Sequence, residues 1–485
     1  MGNLARRVQE RFRERLAAAR PGLDWTVEHR VAGTPVDVAG LGNSVVLVEL
    51  EWRRADPADN TAKLFRHLAE GQFDADRVVV AQVFTGYYDL ARGGVSTKRE
   101  NAEFVGRVAA DTFDCFSYAP VDLAIDPPKR GDDLPDDWRA AVDDVYWGCV
   151  TATGEQGLNI GRVAPMVAGW GDSVPGVQLN RMCGSSQQAV TWAAGQIRAG
   201  FADVVVAGGS EHLTRVPMGA DSTAESGIIA RDALTDTYFE HYDEATGQGE
   251  GAERMAEQWG VSRERADRIA ADSHRRWGEA WEAGHYDRAV VPVETTLDGE
   301  PATVDRDEHP RPDSTVDSLA GLPLAFRPEG EGVHHAGNSS GVVDGASALL
   351  MASEPVAADR GWDPLARVVD SVVVGVDPVT MRTGPVPATE QVLERAGREI
   401  GDVDLFEVNE AFASVVAAWL DETGAPWERT NVLGGAIAHG HPFGATGGAL
   451  LGKLAYELDR RGADLGLCAM CIGFGQGIAT LIERA

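Results

Sequence analysis

The chain has 485 residues, of which 44% are hydrophobic and 25% are charged, and its formal net charge is −31. This length predicts two to four domains of ordinary size. The negative charge disfavours nucleic acid as a partner because a phosphate backbone repels an acidic surface. The sequence contains no apolar run long enough for a membrane helix, so we expect no membrane association.

The basic residues are almost all arginine, since the chain has only four lysines: Lys63, Lys98, Lys129 and Lys453. An acid-rich, lysine-poor surface stays hydrated in concentrated salt, which predicts a halophilic host. A GC-rich genome explains the lysine deficit equally well. The first twenty residues mix arginine with glutamate, unlike a secretory signal or a transit peptide. Five cysteines without the spacing of a disulfide framework indicate a reducing compartment, so we expect a cytoplasmic protein.

Residues 1–112 predict a small, separate α/β domain. A polar helix is expected over 3–19, and strands are expected at 26–31, 45–48 and 77–83. Residues 113–134 are punctuated by proline, glycine and aspartate, and we interpret them as a linker.

Four acidic residues of this front block suggest one possible chemistry. Asp37 precedes Glu49 and Glu51, which end a strand, and Glu28 offers a fourth carboxylate. The pattern resembles the restriction-endonuclease-like fold, in which clustered carboxylates bind Mg²⁺ for phosphodiester cleavage. Glu51 stands where that pattern has lysine, and acids at a strand end are often simply solvated. A nuclease and an interaction module therefore both stay open for residues 1–112.

From residue 135 onward, short apolar strands alternate with alanine-rich helices. This alternation predicts a layered α/β architecture. The predicted strands are 204–207, 368–376 and 405–408, and the predicted helices are 187–199, 388–396 and 411–420. The charged segment 214–330 interrupts the pattern, and we interpret it as an inserted subdomain.

A weak internal repeat links two loop-to-helix corners. Cys183-Gly184 opens one helix, and the glycine-rich run 440–444 opens another. The first helix is followed by Gly200-Phe201-Ala202-Asp203 and a strand, and the second by Gly462-Ala463-Asp464 and a strand. A duplicated fold would bring both corners to a shared centre. Chance similarity between α/β units is the alternative.

Three residues near these corners have catalytic potential. A thiol at a helix N-terminus, as predicted for Cys183, favours the reactive thiolate, although a lone cysteine is more often structural. His441 lies among small residues that let the backbone approach a ligand, and an imidazole there can take the thiol proton. Cys471 ends a strand in a second glycine-rich loop.

The same residues also suggest a zinc or redox site formed by His439, His441, Cys468 and Cys471. Residues three apart on a strand point to opposite faces, which argues against a shared metal for the two cysteines. No helix can follow 473–477 so near the C-terminus, which argues against a dinucleotide site. We therefore predict no metal.

Together these segments resemble the thiolase family, the acyl-CoA C-acyltransferases, over residues 135–485. The resemblance rests on seven segments: 180–190, Asn409-Glu410-Ala411-Phe412, 434–447, Cys471-x-Gly473, 336–341, 384–387 and 208–211. It implies duplicated thiolase-type layered α/β halves with an inserted loop subdomain. The first half would comprise 135–213 and 331–362, the CoA-binding loop subdomain 214–330, and the second half 363–485.

The resemblance also implies a two-stage acyl transfer from a 3-ketoacyl-CoA. His441 would deprotonate Cys183, which accepts the acyl group, and Cys471 would exchange a proton with the acetyl-CoA enolate. Asn409, through a water, would form one oxyanion site with His441. The backbone N–H groups of Cys183 and Gly473 would form the other. By itself, Asn409-Glu410 is also an ordinary helix start.

Further implications concern CoA and assembly. Asn338, Ser339 and Ser340 would contact CoA, which is a substrate rather than a permanently bound cofactor. The protein would be a homodimer or homotetramer.

The sequence departs from the family at several positions. Phe474 stands where glycine is usual, and His439 where an aliphatic residue is usual. The family's opening strand and helix are absent before Asp136. We expect that opening strand to lie in the middle of the first half's sheet, so its absence predicts a sheet without its central strand. An inactive thiolase-like fusion is therefore the alternative to an active enzyme.

Overall fold

The computed structural model describes residues 3–31, 34–51, 57–73, 75–85, 95–123, 138–222, 236–297 and 300–485. The chain divides into two compact units, Met1–Asp133 and Leu134–Ala485. Half of the predicted linker, residues 124–134, lies outside the described residues. Within those residues, no helix is both long and apolar enough to cross a membrane.

The first unit is a five-stranded sheet with helices on both faces. Its helices are α1 (Asn3–Ala19), α2 (Pro57–Ala69) and α3 (Thr97–Thr112). Its strands are β1 (Asp24–Val31), β2 (Thr34–Leu41), β3 (Ser44–Glu51), β4 (Arg77–Thr85) and β5 (Phe116–Leu123), in that order across the sheet. The first three are antiparallel and the last three parallel. Because side chains alternate along a strand, Leu47 of β3 joins the core that contains Leu64 of α2. The next residue, Val48, points to the opposite face of the sheet and joins a second core, against which Phe12 of α1 packs.

The prediction of a linker beginning at residue 113 is wrong, because β5 belongs to the first unit. This strand pairs in parallel with β4, and Phe116 is buried in the core. Pro120 in mid-segment argued against a strand. The residue is tolerated because β5 lies at the edge of the sheet, where a missing backbone N–H disrupts no further pairing.

The second unit contains two four-stranded mixed sheets and a small hairpin. Its strands are β6 (Asp144–Gly148), β7 (Val177–Leu179), β8 (Val204–Glu211), β9 (Val293–Leu297), β10 (Glu300–Val304), β11 (Gly345–Ala352), β12 (Ala366–Gly375), β13 (Leu405–Val408), β14 (Leu465–Ile472) and β15 (Gln476–Arg484). Its helices are α4 (Ile160–Val167), α5 (Ser185–Arg198), α6 (Asp236–His241), α7 (Gln248–Gln258), α8 (Arg263–Glu282), α9 (Val316–Ala320), α10 (Glu354–Arg360), α11 (Pro385–Ala396), α12 (Ala413–Thr423), α13 (Ala436–His439) and α14 (Thr446–Arg461). The strand orders are β11-β8-β6-β7 and β12-β15-β14-β13.

Helices α5 and α14 form a central layer between the two sheets. Val190 of α5 and Leu451 of α14 share one buried core with Val205 of β8 and Met470 of β14. Further buried cores cover the outer faces of both sheets. The predicted duplicated, layered α/β class is confirmed, and both central helices begin at the loops that the repeat marked.

The predicted gap in the middle of the first half's sheet is wrong. Strand β6 pairs directly with β8 over five residues, so the sheet is continuous. In the second half the opening strand, β12, lies at the edge beside β15. Its counterpart in the first half would therefore be an edge strand beyond β11, which is an end strand of its sheet in the described part of the chain. Loss of an edge strand leaves the centre of the sheet intact.

The inserted segment adds helices α6–α9 and the hairpin β9–β10. Helix α8 packs against α12 and α13 of the second half. Its Trp277 is completely buried, in a cluster with Leu433 and Ala438. The insertion thus supports the glycine-rich loop that precedes His441.

Candidate active site

Cys183 lies in the turn between β7 and the central helix α5. The residue before it, Met182, has a φ of 48°, in the left-handed region that non-glycine residues rarely occupy. The backbone N–H groups of Cys183 and Gly473 face the sulfur and favour the thiolate. Burial has the larger effect and raises the pKa of the Cys183 thiol to about 12. The resting thiol therefore keeps its proton and needs a base.

His441 is buried in the loop before the second central helix, α14. Its Nδ1 lies 2.6 Å from Thr446 Oγ1, and that hydroxyl donates to the Pro442 carbonyl at 2.9 Å. Because the Thr446 hydroxyl donates its only proton to that carbonyl, it can only accept a hydrogen bond from His441 Nδ1–H. The free lone pair of the neutral ring is therefore on Nε2. Burial, with the nearby Arg382 charge, lowers the pKa of His441 to about 3. The imidazole is therefore neutral and correctly set to act as a base.

Asn409 follows β13 and is completely buried. Its backbone N–H donates to the Ala469 carbonyl at 3.0 Å, which ties it to β14. Its Nδ2 lies 3.4 Å from His441 Nε2. Within the described residues, Asn409 Oδ1 has no hydrogen-bond partner.

Cys471 and Gly473 lie at the end of β14. The Cys471 sulfur is fully buried and 3.4 Å from Nη1 of Arg382. It is close enough to Cys183 that the charges of the two sulfurs interact. A side chain at Gly473 would approach Gln248 Nε2 to 3.2 Å. The turn continues through Phe474, whose φ of 59° is again left-handed.

The loop 336–341 contacts the site through its backbone, whereas the Asn338 side chain, for which a CoA contact was predicted, points into the protein. The His441 backbone N–H donates to the Gly341 carbonyl at 2.8 Å. Asn338 is completely buried: its Nδ2 donates to Asp267 Oδ1 at 2.9 Å, and its Oδ1 accepts from the His335 N–H at 3.0 Å. Its amide is occupied inside the protein, so we no longer assign it a CoA contact.

Ser339 and Ser340 differ from Asn338 in their hydrogen bonding. Ser339 is also buried, but its Oγ has no hydrogen-bond partner in the described part of the chain. Ser340 is partly exposed and donates its backbone N–H to the Ala411 carbonyl at 3.1 Å. Neither hydroxyl is engaged as the Asn338 amide is.

Glu410, next to Asn409, ties the insertion to the loops before His441. Its carboxylate accepts from Ser273 Oγ at 2.6 Å, Asn431 Nδ2 at 2.8 Å and the Ile437 N–H at 3.1 Å. A side chain at Gly435 would come within 2.2 Å of this carboxylate. Sequence reasoning gave Glu410 no role of its own, although its place beside Asn409 was a usable signal.

Glu211 joins the first half to the loop that carries His441. Its Oε2 accepts from the Gly444 N–H and the Val150 N–H, both at 2.9 Å. At this junction a Cβ on Gly209 would lie only 2.0 Å from the Gly444 oxygen. Only glycine allows the two backbones to approach so closely.

Two contacts of the catalytic residues were missed at the sequence level. Thr446 was part of a recognised segment, and its spacing of five from His441 was the available signal. Arg382 precedes the recognised Gly384-Pro385 segment, but nothing in the sequence indicates that its side chain points inward.

The alternative metal sites find no support in the described residues, where no three His, Cys, Asp or Glu side chains are grouped to hold an ion. Cys468 faces the central helices, whereas Cys471 faces a separate cluster with Met255 and Phe412. This arrangement agrees with the opposite-face argument. All five cysteines are unpaired.

The four acids of the front block differ in burial: Glu49 and Glu51 are buried, Asp37 is half-buried and Glu28 is exposed. Asp37 Oδ2 accepts from the Leu50 N–H at 2.7 Å, and Glu51 Oε1 accepts from Gln82 Nε2 at 2.6 Å. Burial, with the neighbouring Asp37 and Glu51 charges, raises the pKa of Glu49. The nuclease hypothesis stays a prediction.

A thiol at a helix start, a neutral imidazole with a fixed tautomer and a second thiol, held between duplicated halves, define an acyl-transferring cysteine enzyme. Residues 138–355 match the family model for the thiolase N-terminal domain, and residues 362–484 match that for the thiolase C-terminal domain. The chain belongs to the thiolase family and is an acyltransferase of that type.

Relatives and solved structures agree with this assignment. The chain is 43% identical over 349 residues to a 3-ketoacyl-CoA thiolase of Cronobacter sakazakii, covering 71% of this chain and 88% of the relative. It is 42% identical over 369 residues to the steroid 3-ketoacyl-CoA thiolase FadA6 of Mycobacterium tuberculosis, covering 75% and 88%. The crystal structure of human mitochondrial 3-ketoacyl-CoA thiolase matches with a TM-score of 0.65 and 35% identity, covering 72% and 88%.

Proposed function

We propose that this protein catalyses CoA-dependent acyl transfer: the thiolytic cleavage of 3-ketoacyl-CoA or the reverse condensation, through an acyl group on Cys183. The observation that carries the proposal is a protonated thiol at Cys183 together with a neutral imidazole at His441 whose free nitrogen is Nε2, with the charge of Arg382 acting on both groups. The names of the relatives support 3-ketoacyl-CoA as the substrate class and β-oxidation of fatty acids as the setting.

In the degradative direction, His441 Nε2 takes the proton of Cys183, and the thiolate attacks the keto carbon. The bond between that carbon and Cα breaks, and its electron pair forms the enolate of acetyl-CoA. Cys471 supplies the proton that converts the enolate to acetyl-CoA. The thiol of a second CoA then gives its proton to the Cys471 thiolate, and its sulfur attacks the acyl-cysteine. The bond from the acyl carbon to Cys183 breaks, and His441 returns its proton to the Cys183 sulfur.

Charge develops on two oxygens, and each needs preorganised donors. The backbone N–H groups of Cys183 and Gly473 already face the Cys183 sulfur, which supports their assignment to the thioester oxygen of the acyl-enzyme. Asn409 lies beside His441 Nε2, and its Oδ1 has no partner among the described residues. This supports a water held by Asn409 that, with His441, stabilises the enolate oxygen.

We assign CoA binding to the segment 214–330, together with Ser339 and Ser340. CoA acts as a substrate, and no permanently bound cofactor is required by this chemistry. Ser339 Oγ, which has no hydrogen-bond partner among the described residues, supports a ligand contact at the loop that touches His441.

A thiolysis assay with acetoacetyl-CoA and longer 3-ketoacyl-CoAs tests the proposal. Wild type should cleave them, and mass spectrometry should find the acyl group on the peptide that contains Cys183. Cys183→Ala should lose both the activity and the adduct. Activity that survives this substitution would refute the mechanism.

We further infer a cytoplasmic homodimer or homotetramer from a salt-adapted host. Five unpaired cysteines support a reducing compartment, and the net charge of −31 supports adaptation to salt. Sedimentation analysis tests the assembly, and unfolding across a potassium chloride series tests the salt adaptation. Stability that does not rise with salt would contradict the halophilic origin.

A further inference from the structure

Arg382 is a buried cation in contact with the reacting groups that the mechanism above does not use. Its side chain is 1% exposed, and its Nη1 lies 3.4 Å from the Cys471 sulfur. Its guanidinium carbon is 4.8 Å from the centre of the Phe412 ring. The backbone just before it is strained, because the buried Met381 has a φ of 60°. Strain of this kind persists where the surrounding structure enforces it, and it is concentrated at functional sites.

The remaining contacts of Arg382 leave its charge unpaired. Its Nη2 donates to the backbone carbonyl of Gln248 at 3.0 Å and also to the Gln248 side-chain oxygen. Its Nε has no hydrogen-bond partner, and no carboxylate forms an ion pair with it in the described part of the chain. A buried charge without a counter-ion is costly, so such groups are normally paired.

The groups around Arg382 identify what can supply the counter-charge. The titratable groups that interact with it electrostatically are Cys183, His441 and His334, and Cys471 lies in direct contact. Neither histidine can become an anion, and the charge of Arg382 favours their neutral forms. Cys471 is the group within hydrogen-bond reach of the guanidinium that can become negative.

We propose that Arg382 is a further catalytic residue, which serves as the counter-ion of the Cys471 thiolate and so promotes the proton transfer at the substrate α-carbon. In condensation, the Cys471 thiolate removes a proton from the methyl group of acetyl-CoA. The C–H bond breaks, an S–H bond forms, and the electron pair of the C–H bond becomes the enolate. Arg382 keeps its protons throughout and loses its anionic partner as the charge passes to the enolate oxygen.

This inference rests on the proposed function and makes a separate prediction about the proton step. In D₂O, wild type should exchange the methyl hydrogens of acetyl-CoA for deuterium, whereas Cys471→Ala should not. Arg382→Met removes the charge but keeps an unbranched, flexible side chain. It should slow the exchange by about tenfold or more, because the hydrogen bond from the guanidinium to the Cys471 sulfur is lost and bonds to charged groups are among the stronger ones.

Two readouts distinguish an electrostatic role from a packing role. Arg382→Lys should restore most of the exchange, because it restores the positive charge beside Cys471. Acetylation of Cys183 by acetyl-CoA, followed by mass spectrometry, should fall by a smaller factor than the exchange.

A second neutral variant, Arg382→Gln, keeps donors for Gln248 and should behave like Arg382→Met; thermal unfolding of each variant checks the fold. Exchange by both neutral variants at the wild-type rate would overturn the proposal. A deficit in Arg382→Lys equal to that of the neutral variants would overturn it as well. Exchange that survives Cys471→Ala would instead refute the role given to Cys471 in the proposed function.

Discussion

Thr446 offers the sharpest test of how the structure prepares His441. Thr446→Val keeps the shape of the side chain and removes the hydroxyl that accepts the Nδ1–H of His441. The Pro442 carbonyl loses one donor but still accepts from the Ala445 and Thr446 N–H groups, at 2.8 and 3.1 Å. The substitution therefore leaves one buried donor, the Nδ1–H of His441, without its hydrogen-bond acceptor.

The expected loss follows from that single group. An unsatisfied buried donor costs about 1–3 kcal/mol. If the ring escapes this cost by changing tautomer, Nε2 gains the proton and can no longer act as a base. A barrier higher by 1.36 kcal/mol lowers a rate about tenfold. We therefore expect kcat/KM for acetoacetyl-CoA thiolysis to fall about tenfold to a hundredfold.

The matched control is Thr446→Ser, which restores the hydroxyl and should keep most of the activity. Kinetics of both variants should be read beside their denaturant unfolding, so that a loss of folded protein is not mistaken for a loss of catalysis. Wild-type kinetics in Thr446→Val would refute the tautomer argument, as would an equal defect in Thr446→Ser.

Three further predictions test the geometry of the site. Because Phe474 has a φ of 59°, Phe474→Gly should be more stable to denaturant than Phe474→Ala by about 1 kcal/mol. At an ordinary position the glycine variant is the less stable of the two, so a less stable Phe474→Gly would disprove strain at this turn. Glu410→Ala leaves three buried donors unpaired and should lower the free energy of unfolding by about 3 kcal/mol or more, with a smaller loss for Glu410→Gln, which keeps one acceptor. Burial raises the pKa of Cys183 to about 12, so its thiolate fraction, and hence its alkylation by iodoacetamide in the free enzyme, should rise about tenfold per unit from pH 6 to 10; a plateau near pH 8 would contradict this assignment.

The sequence predicted several strands and helices of the second unit because their patterns are local. The helix at α5 and the strand at β13 follow from periodicity and short apolar runs. Strand β5 could not be recognised in this way, since Pro120 is acceptable only at the edge of a sheet and the strand order is a tertiary property. The missing opening strand was misplaced for the same reason.

Side-chain direction marks a second limit of sequence reasoning. Asn338 and Ser339 are neighbours in one motif, yet the structure buries the amide of Asn338 in a network with Asp267 and leaves the Ser339 hydroxyl unpartnered. Motif matching finds such a loop but does not tell which of its side chains meets a ligand. Arg382 is the extreme case, since an isolated arginine in a loop is ordinarily solvated.

The duplicated fold explains why this chemistry needs both halves of the second unit. The first half supplies Cys183 at the start of α5, and the second half supplies His441 before α14 and Cys471 at the end of β14. The charges of these groups then follow from burial. His441 stays neutral because burial and Arg382 lower its pKa to about 3, while Arg382 favours negative charge on the sulfur beside it. Negative charge can therefore pass between thiolate and enolate, while the permanent positive charge stays on Arg382. If that division of charge is correct, removing Arg382 will impair the proton step at Cys471 more than acyl transfer to Cys183.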